Sequence, residues 1–263
     1  MELNRGNKEQ HFARYWDREF AKLYQGLGLM SGERCLPLHE VCELRDKCWR
    51  GHENSYPNDL ETAQIARPWV GEYYPQTRLL GIGINLNVGG GFQQLCDETE
   101  QARKEMEQGK GRVFIQPGYG GSYFHPCLGS YAAKLLSKKG AFVSASEAFR
   151  YLSYTQHVKC SPKDEKRRGR PYREMWKACG EHILWEEMRL LKPKLVLIFG
   201  KTQNWEYTCR LFGGDCSGGE FRHVVWGVSK EGPLLVGVRH PMTVGGSRKE
   251  EVLGELGRVP WDI

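Results

Sequence analysis

Four short apolar runs constrain this chain more than any other feature: Arg78 to Ile84, Tyr154 to Lys159, Lys194 to Phe199 and Leu234 to Val238. Each has the length of a strand and ends near Gly, Asn or His, which favours buried strands over helices. Amphipathic stretches lie between them. The clearest is Glu174 to Leu191, with Met175, Cys179, Ile183, Trp185 and Met188 available for packing and Pro193 closing it. Ser130 to Ser137 and Ser146 to Leu152 are shorter candidates. Strands separated by helices imply crossover connections. The expected fold is therefore α/β: a three-layer α/β/α sandwich around a four-stranded, mostly parallel sheet. Ligands of such sheets sit beyond the carboxyl ends of the strands, where Asn85, Gly200 and His240 fall.

The N-terminal third differs from this body. His11 to Leu27 reads as a helix with Phe12, Tyr15, Trp16, Phe20 and Leu23 near one face, and a polar, cysteine-rich segment follows. With 263 residues, 40% of them hydrophobic, the chain is long enough for a sizeable core. We expect a single domain over 1–263, its N-terminal helix and cysteine-rich segment (1–60) packed on that core. The first thirty residues lack a basic flank followed by an apolar stretch, and no apolar run approaches a membrane span. The expectation is a soluble, cytoplasmic monomer with no membrane partner. Lys plus Arg exceeds Asp plus Glu, 38 against 32, most sharply in "KDEKRRGRPYR" from Lys163 to Arg173. Such a run suits either a solvated surface or a polyanion such as DNA.

Nine cysteines in a cytosolic chain do not read as a disulfide framework, because that compartment keeps thiols reduced. Metal or cluster ligation and burial as small hydrophobes are the two alternatives. Cys35, Cys42 and Cys48 crowd one segment, Cys160 and Cys179 bracket the basic run, and Cys96, Cys127, Cys209 and Cys216 stand apart. The glycine-rich stretches do not make a phosphate loop. "FGKT" at Phe199 to Thr202 lacks the upstream glycines of a Walker loop, and "GIGINLN" from Gly81 fails at the third glycine of a dinucleotide fingerprint. Between Asn85 and Phe124 the chain is irregular, with Gln93 to Gln108 readable as an exposed charged helix.

"GINLN" (Gly83 to Asn87) resembles the first motif of the uracil-DNA glycosylase superfamily, and "RHPM" (Arg239 to Met242) resembles its second, a His-Pro followed by a DNA-inserting loop. The stretch from Val158 to Lys201 is similar to the iron-sulfur members: Val-Lys-Cys, a basic Pro-containing loop, a second cysteine on a helix, then Lys-Pro before an apolar strand ending in Gly. The resemblance covers most of the chain, from Cys35 to Val244. It implies a monofunctional DNA glycosylase with a four-iron four-sulfur cluster. Asn85 then matches the residue that positions the attacking water, and His240 the one that hydrogen-bonds the departing base. Gly83, Asn87, Phe124 and Gln156 would contact the flipped base, and Arg167, Arg168, Met242 and Arg248 the DNA. Cys160 and Cys179 match the two C-terminal cluster ligands; Cys42 and Cys48 are taken as the other two, with Cys35 as the alternative.

The chain departs from the family where base selection resides. Gln156 replaces the asparagine that reads the uracil edge, Leu86 and Asn87 replace Pro and Gly, Met242 replaces a common serine, and the segment before Phe124 is long. One methylene in a recognition side chain alters selectivity by an order of magnitude or more. The expected substrate is uracil or a modified pyrimidine, in DNA repair or, for hypermodified cytosine such as glucosylated hydroxymethylcytosine, in defence against phage. A non-catalytic iron-sulfur protein that binds nucleic acid and a zinc-stabilised nucleotide hydrolase are the readings from other classes.

Overall fold

The computed structural model describes residues 3–32, 34–35, 42, 68–85, 124–138, 140, 142–145, 147–159, 171–214, 216–228, 232–241 and 248–260. The chain divides into two compact units. One comprises Met1–Pro68, Ile84–Arg112 and Gln156–Leu190; the other comprises Trp69–Gly83, Val113–Thr155 and Leu191–Ile263.

The fold is mixed α/β, built on a seven-stranded sheet flanked by helices. All four expected strands are present as β4 (Leu79–Asn85), β5 (Leu152–Val158), β6 (Leu195–Phe199) and β9 (Leu234–Val238). They occupy contiguous positions in the order β5-β4-β6-β9. Three strands extend this set: β3 (Trp69–Val70) beside β5, and β8 (Val224–Val228) and β7 (Ser217–Glu220) beyond β9. The four-stranded expectation is thus corrected to seven, and the sheet is mixed. β4, β6 and β9 run parallel, whereas β3, β8 and β7 each pair antiparallel with a neighbour. The added strands escape a search for apolar runs for a physical reason. β3 is two residues long, and β7, "SGGE", is glycine-rich and largely exposed at the sheet margin, where no core face imposes an apolar pattern.

β6 and β9 are buried along their whole length, as expected of strands covered on both faces. In this second unit, the short helix α2 (Tyr74–Thr77) precedes β4, and helix α3 (Phe124–Ser137) buries Leu128, Tyr131, Ala132 and Leu135. Tyr131 stacks on Phe199 of β6 at 6.2 Å between ring centroids. The α3 helix starts earlier than the expected Ser130, and part of the expected helix from Ser146 is a 3-10 turn, Glu147–Arg150. Gly129 explains how the two approach: a Cβ there would stand 2.2 Å from the Ala145 carbonyl oxygen, so any larger residue forces them apart. Helix α6 (Gln203–Leu211) packs on β6, and α7 (Lys249–Leu256) on β8 and α3.

The first unit contains α1 (Leu3–Gly26), which covers the expected helix except its last residue, Leu27, and the short hairpin β1 (Met30–Ser31) with β2 (Arg34–Cys35). Phe20 and Tyr24 of α1 are buried. Within the expected helix, α4 (Arg173–Cys179) and α5 (Trp185–Leu191) are joined by one π-helical stretch, Gly180–Leu184. Met175, Trp176, Leu184 and Met188 form its buried side. Among the described residues, no helix is long and apolar enough to cross a membrane.

Candidate functional site

Parallel pairing brings three strand ends to one edge of the sheet. Ile82 of β4 is opposite Ile198 of β6, which is opposite Gly237 of β9. β4 beyond Ile82 and β9 beyond Gly237 therefore continue in the same direction. β6 ends between them at Phe199 and is followed by Gly200, whose φ of 115° is open to glycine and strained for other residues. Its N–H donates to the Val238 carbonyl at 2.8 Å, which keeps the turn close to β9. Asn85 is the last residue of β4, and Gly83 is buried within the strand.

His240 is half-buried, and burial lowers its pKa below the ordinary imidazole range. The ring is consequently neutral at physiological pH and offers one N–H donor. The backbone before it is fixed by the Arg239 N–H, which donates to the His223 carbonyl at 3.0 Å. His223 is in turn tied to α7. Its Nε2 lies 2.8 Å from Glu251 Oε2, while Glu255 Oε2 accepts from the backbone N–H groups of His223 and Val224. The His223 hydrogen bond, with Arg222 and Arg248 nearby, holds the Glu251 carboxyl below its usual range. Arg248 is the N-cap residue of α7 and is half-buried.

A second polar centre lies in the first unit. Cys179 ends α4, and its thiol is pushed up to about 11, chiefly by burial and further by the neighbouring Cys42 thiol; the Lys159 backbone N–H, hydrogen-bonded to the Cys179 sulfur, opposes the rise. Two cysteines from distant parts of the sequence thus share one environment, and Lys159, immediately before Cys160, reaches the same sulfur. Two soft thiol donors brought near each other are chemically suited to a soft metal, which would displace their protons. Among the described residues alone, no three metal-ligating side chains converge. Beside Cys179 lies a buried ion pair, Lys159 Nζ to Glu187 Oε2 at 2.6 Å, with the Tyr24 hydroxyl donating to Glu187 Oε1 at 2.6 Å.

Of the other expected site residues, Gln156 is half-buried in β5 and Phe124 opens α3. Asn87, Arg167, Arg168, Met242, Cys48 and Cys160 lie outside the described residues, as does the expected helix Gln93 to Gln108. Asn204, His223 and Glu187 belong to no motif, and Lys159 enters the sequence reading only as the middle residue of Val-Lys-Cys. Their roles are identified only by burial and bonding. No family model matches this chain, and no curated protein matches it either.

Proposed function

We propose that this chain is a monofunctional DNA glycosylase that flips uracil or a modified pyrimidine out of DNA and hydrolyses its N-glycosidic bond, leaving an abasic site. The observation that carries this reading is the parallel register of β4, β6 and β9, which directs the strand of the first motif and the strand of His240 out over one sheet edge. The same register suits a uracil-DNA glycosylase-like sandwich, acting as a cytoplasmic monomer on DNA.

Breaking an N-glycosidic bond makes the sugar cationic and drives negative charge onto the base. Asn85 would orient the attacking water through its amide, which binds water without having to ionise. His240 would donate its N–H to the departing base as charge builds there. Burial that keeps this imidazole neutral is chemically apt, because an imidazolium would add a second positive charge near the sugar. The water supplies the hydroxyl that ends on the sugar carbon, and its proton balances the released base. No lysine stands at the water-positioning place, so hydrolysis is favoured over a Schiff-base route. Gly83 and Asn87 would border the pocket, Gln156 would read the base edge and Phe124 would stack on the base. Met242 would fill the vacated stack, and Arg167, Arg168 and Arg248 would meet phosphate, making binding salt-sensitive.

Cleavage of oligonucleotides carrying uracil, hypoxanthine, or hydroxymethylated or glucosylated cytosine tests the reading. The expected result is abasic sites on at least one of them. DNA binding without abasic sites on any would replace the enzyme by a non-catalytic binding protein.

Cys42, Cys48, Cys160 and Cys179 would hold the cluster, whose contribution is structural: it ties the N-terminal segment to the basic loop. Purified protein should be brown with roughly four irons per chain. Cys42→Ser and Cys179→Ser should each lower the iron content and the visible absorption. Colourless wild-type protein that contains zinc would remove the iron-sulfur assignment.

A further inference from the structure

We infer that Asn204 is a positioning residue: its buried side-chain amide holds the end of β4 from which Asn85 is presented. The inference rests on the glycosylase reading above. The β4·β6 ladder runs from Leu79–Leu195 to Ile82–Ile198, and β6 ends one residue later at Phe199. β4 continues to Asn85. The ladder to β6 therefore stops short of the last residues of β4, just before the motif.

Asn204 takes over at that point. It is the second residue of α6 and is 1% exposed. Its Nδ2 lies 3.3 Å from the carbonyl oxygen of Ile82, 3.3 Å from that of Gly83 and 2.9 Å from that of Phe199. An amide nitrogen carries two hydrogens, so three acceptors around it share them in three-centre bonds. One side chain thus links the carboxyl ends of two adjacent parallel strands, and does so at the residues that directly precede Ile84 and Asn85. A group without donor hydrogens cannot replace it. A carboxylate in its place would face three carbonyl oxygens with another acceptor.

A water-orienting group works only when held near its productive position, and a displacement of about 1 Å costs about 100-fold in rate. Holding the strand end is therefore a condition for catalysis as well as for packing. It also gives a signature that separates the two roles. A residue needed only for stability changes the amount of folded enzyme, whereas a positioning residue changes the rate constant of the folded enzyme.

The test compares full-length wild type with Asn204→Asp and Asn204→Ser in single-turnover cleavage of the oligonucleotide the wild type cleaves best. Affinity for the same DNA and the folded fraction are measured in parallel. For Asn204→Asp the expected single-turnover rate constant falls about 100-fold, with the DNA Kd changed by less than about threefold. Asn204→Ser, which keeps a donor on a shorter arm, should fall between. A rate constant per folded enzyme equal to wild type overturns the inference, as does an equal loss of rate and affinity. If Asn204→Asp does not fold, Asn204→Ser is judged by the same two criteria. Failure of the glycosylase reading is distinct: the wild type itself then leaves every base in place, and the inference falls with it.

Discussion

Asn85→Ala should slow abasic-site formation by about two to four orders of magnitude while DNA affinity stays near that of the wild type. The asymmetry follows from where Asn85 sits. It ends β4, beyond the residues Leu79 to Ile82 that pair with β6, and alanine removes only its side-chain amide, leaving the backbone groups that make the sheet in place. Binding draws mainly on phosphate contacts made elsewhere. What is lost is a group that fixes water against the sugar, and that loss appears in the chemical step. Asn85→Asp is the informative companion. Its carboxylate can still accept from water and can stabilise a cationic sugar, so activity should recover part of the way. Measurement is by single-turnover cleavage and a binding titration on one oligonucleotide. An alanine variant that cleaves at the wild-type rate would take Asn85 out of the mechanism.

The strands that carry the motif were legible in the sequence because burial on both faces leaves an unbroken apolar run. "LVLIF" at Leu195–Phe199 and "LLVGV" at Leu234–Val238 have few other uses in a folded chain. The marginal strands were not legible. "VVWGV" at Val224–Val228 is only partly buried, and "SGGE" has no apolar residue for a core to select. The same distinction holds at the site. Asn85 and His240 could be picked out because each interrupts a pattern at a strand end. Asn204 interrupts nothing: it lies in the polar stretch "KTQNWEY", and only the three-dimensional placement of α6 against β6 reveals the carbonyls it serves. Helix 174–191 was likewise legible from its period, but its π-helical turn was not. The extra residue of a π turn shifts which side chains face inwards without altering the composition that marks a helix.

Lys159→Met should be the most destabilising of the single changes considered in the first unit, by about 3–5 kcal/mol. Lys159 and Glu187 are 2% and 0% exposed, so neither charge has water to fall back on. Their mutual attraction, with the Tyr24 hydrogen bond to the second carboxylate oxygen, offsets the cost of removing both from solvent. Methionine fills much of the lysine stem's volume but leaves Glu187 a buried carboxylate deprived of the Lys159 ammonium. The double change Lys159→Met with Glu187→Gln tests that account. Glutamine keeps an oxygen to accept from Tyr24 while shedding the charge, so the double variant should be more stable than Lys159→Met alone. Replacing both members of a buried pair is often nearly neutral, whereas removing one is not. For a chain of this size, the single change corresponds to a melting shift of roughly 10 °C. Urea unfolding of the wild type, both single variants and the double variant provides the coupling energy directly. If the two single losses simply add in the double variant, the pair is not acting as a desolvated unit. A rescued double variant would instead establish that the carboxylate beside Cys179 depends on Lys159 for its place in the interior. That dependence would make the residue preceding Cys160 part of what keeps the cysteine environment folded.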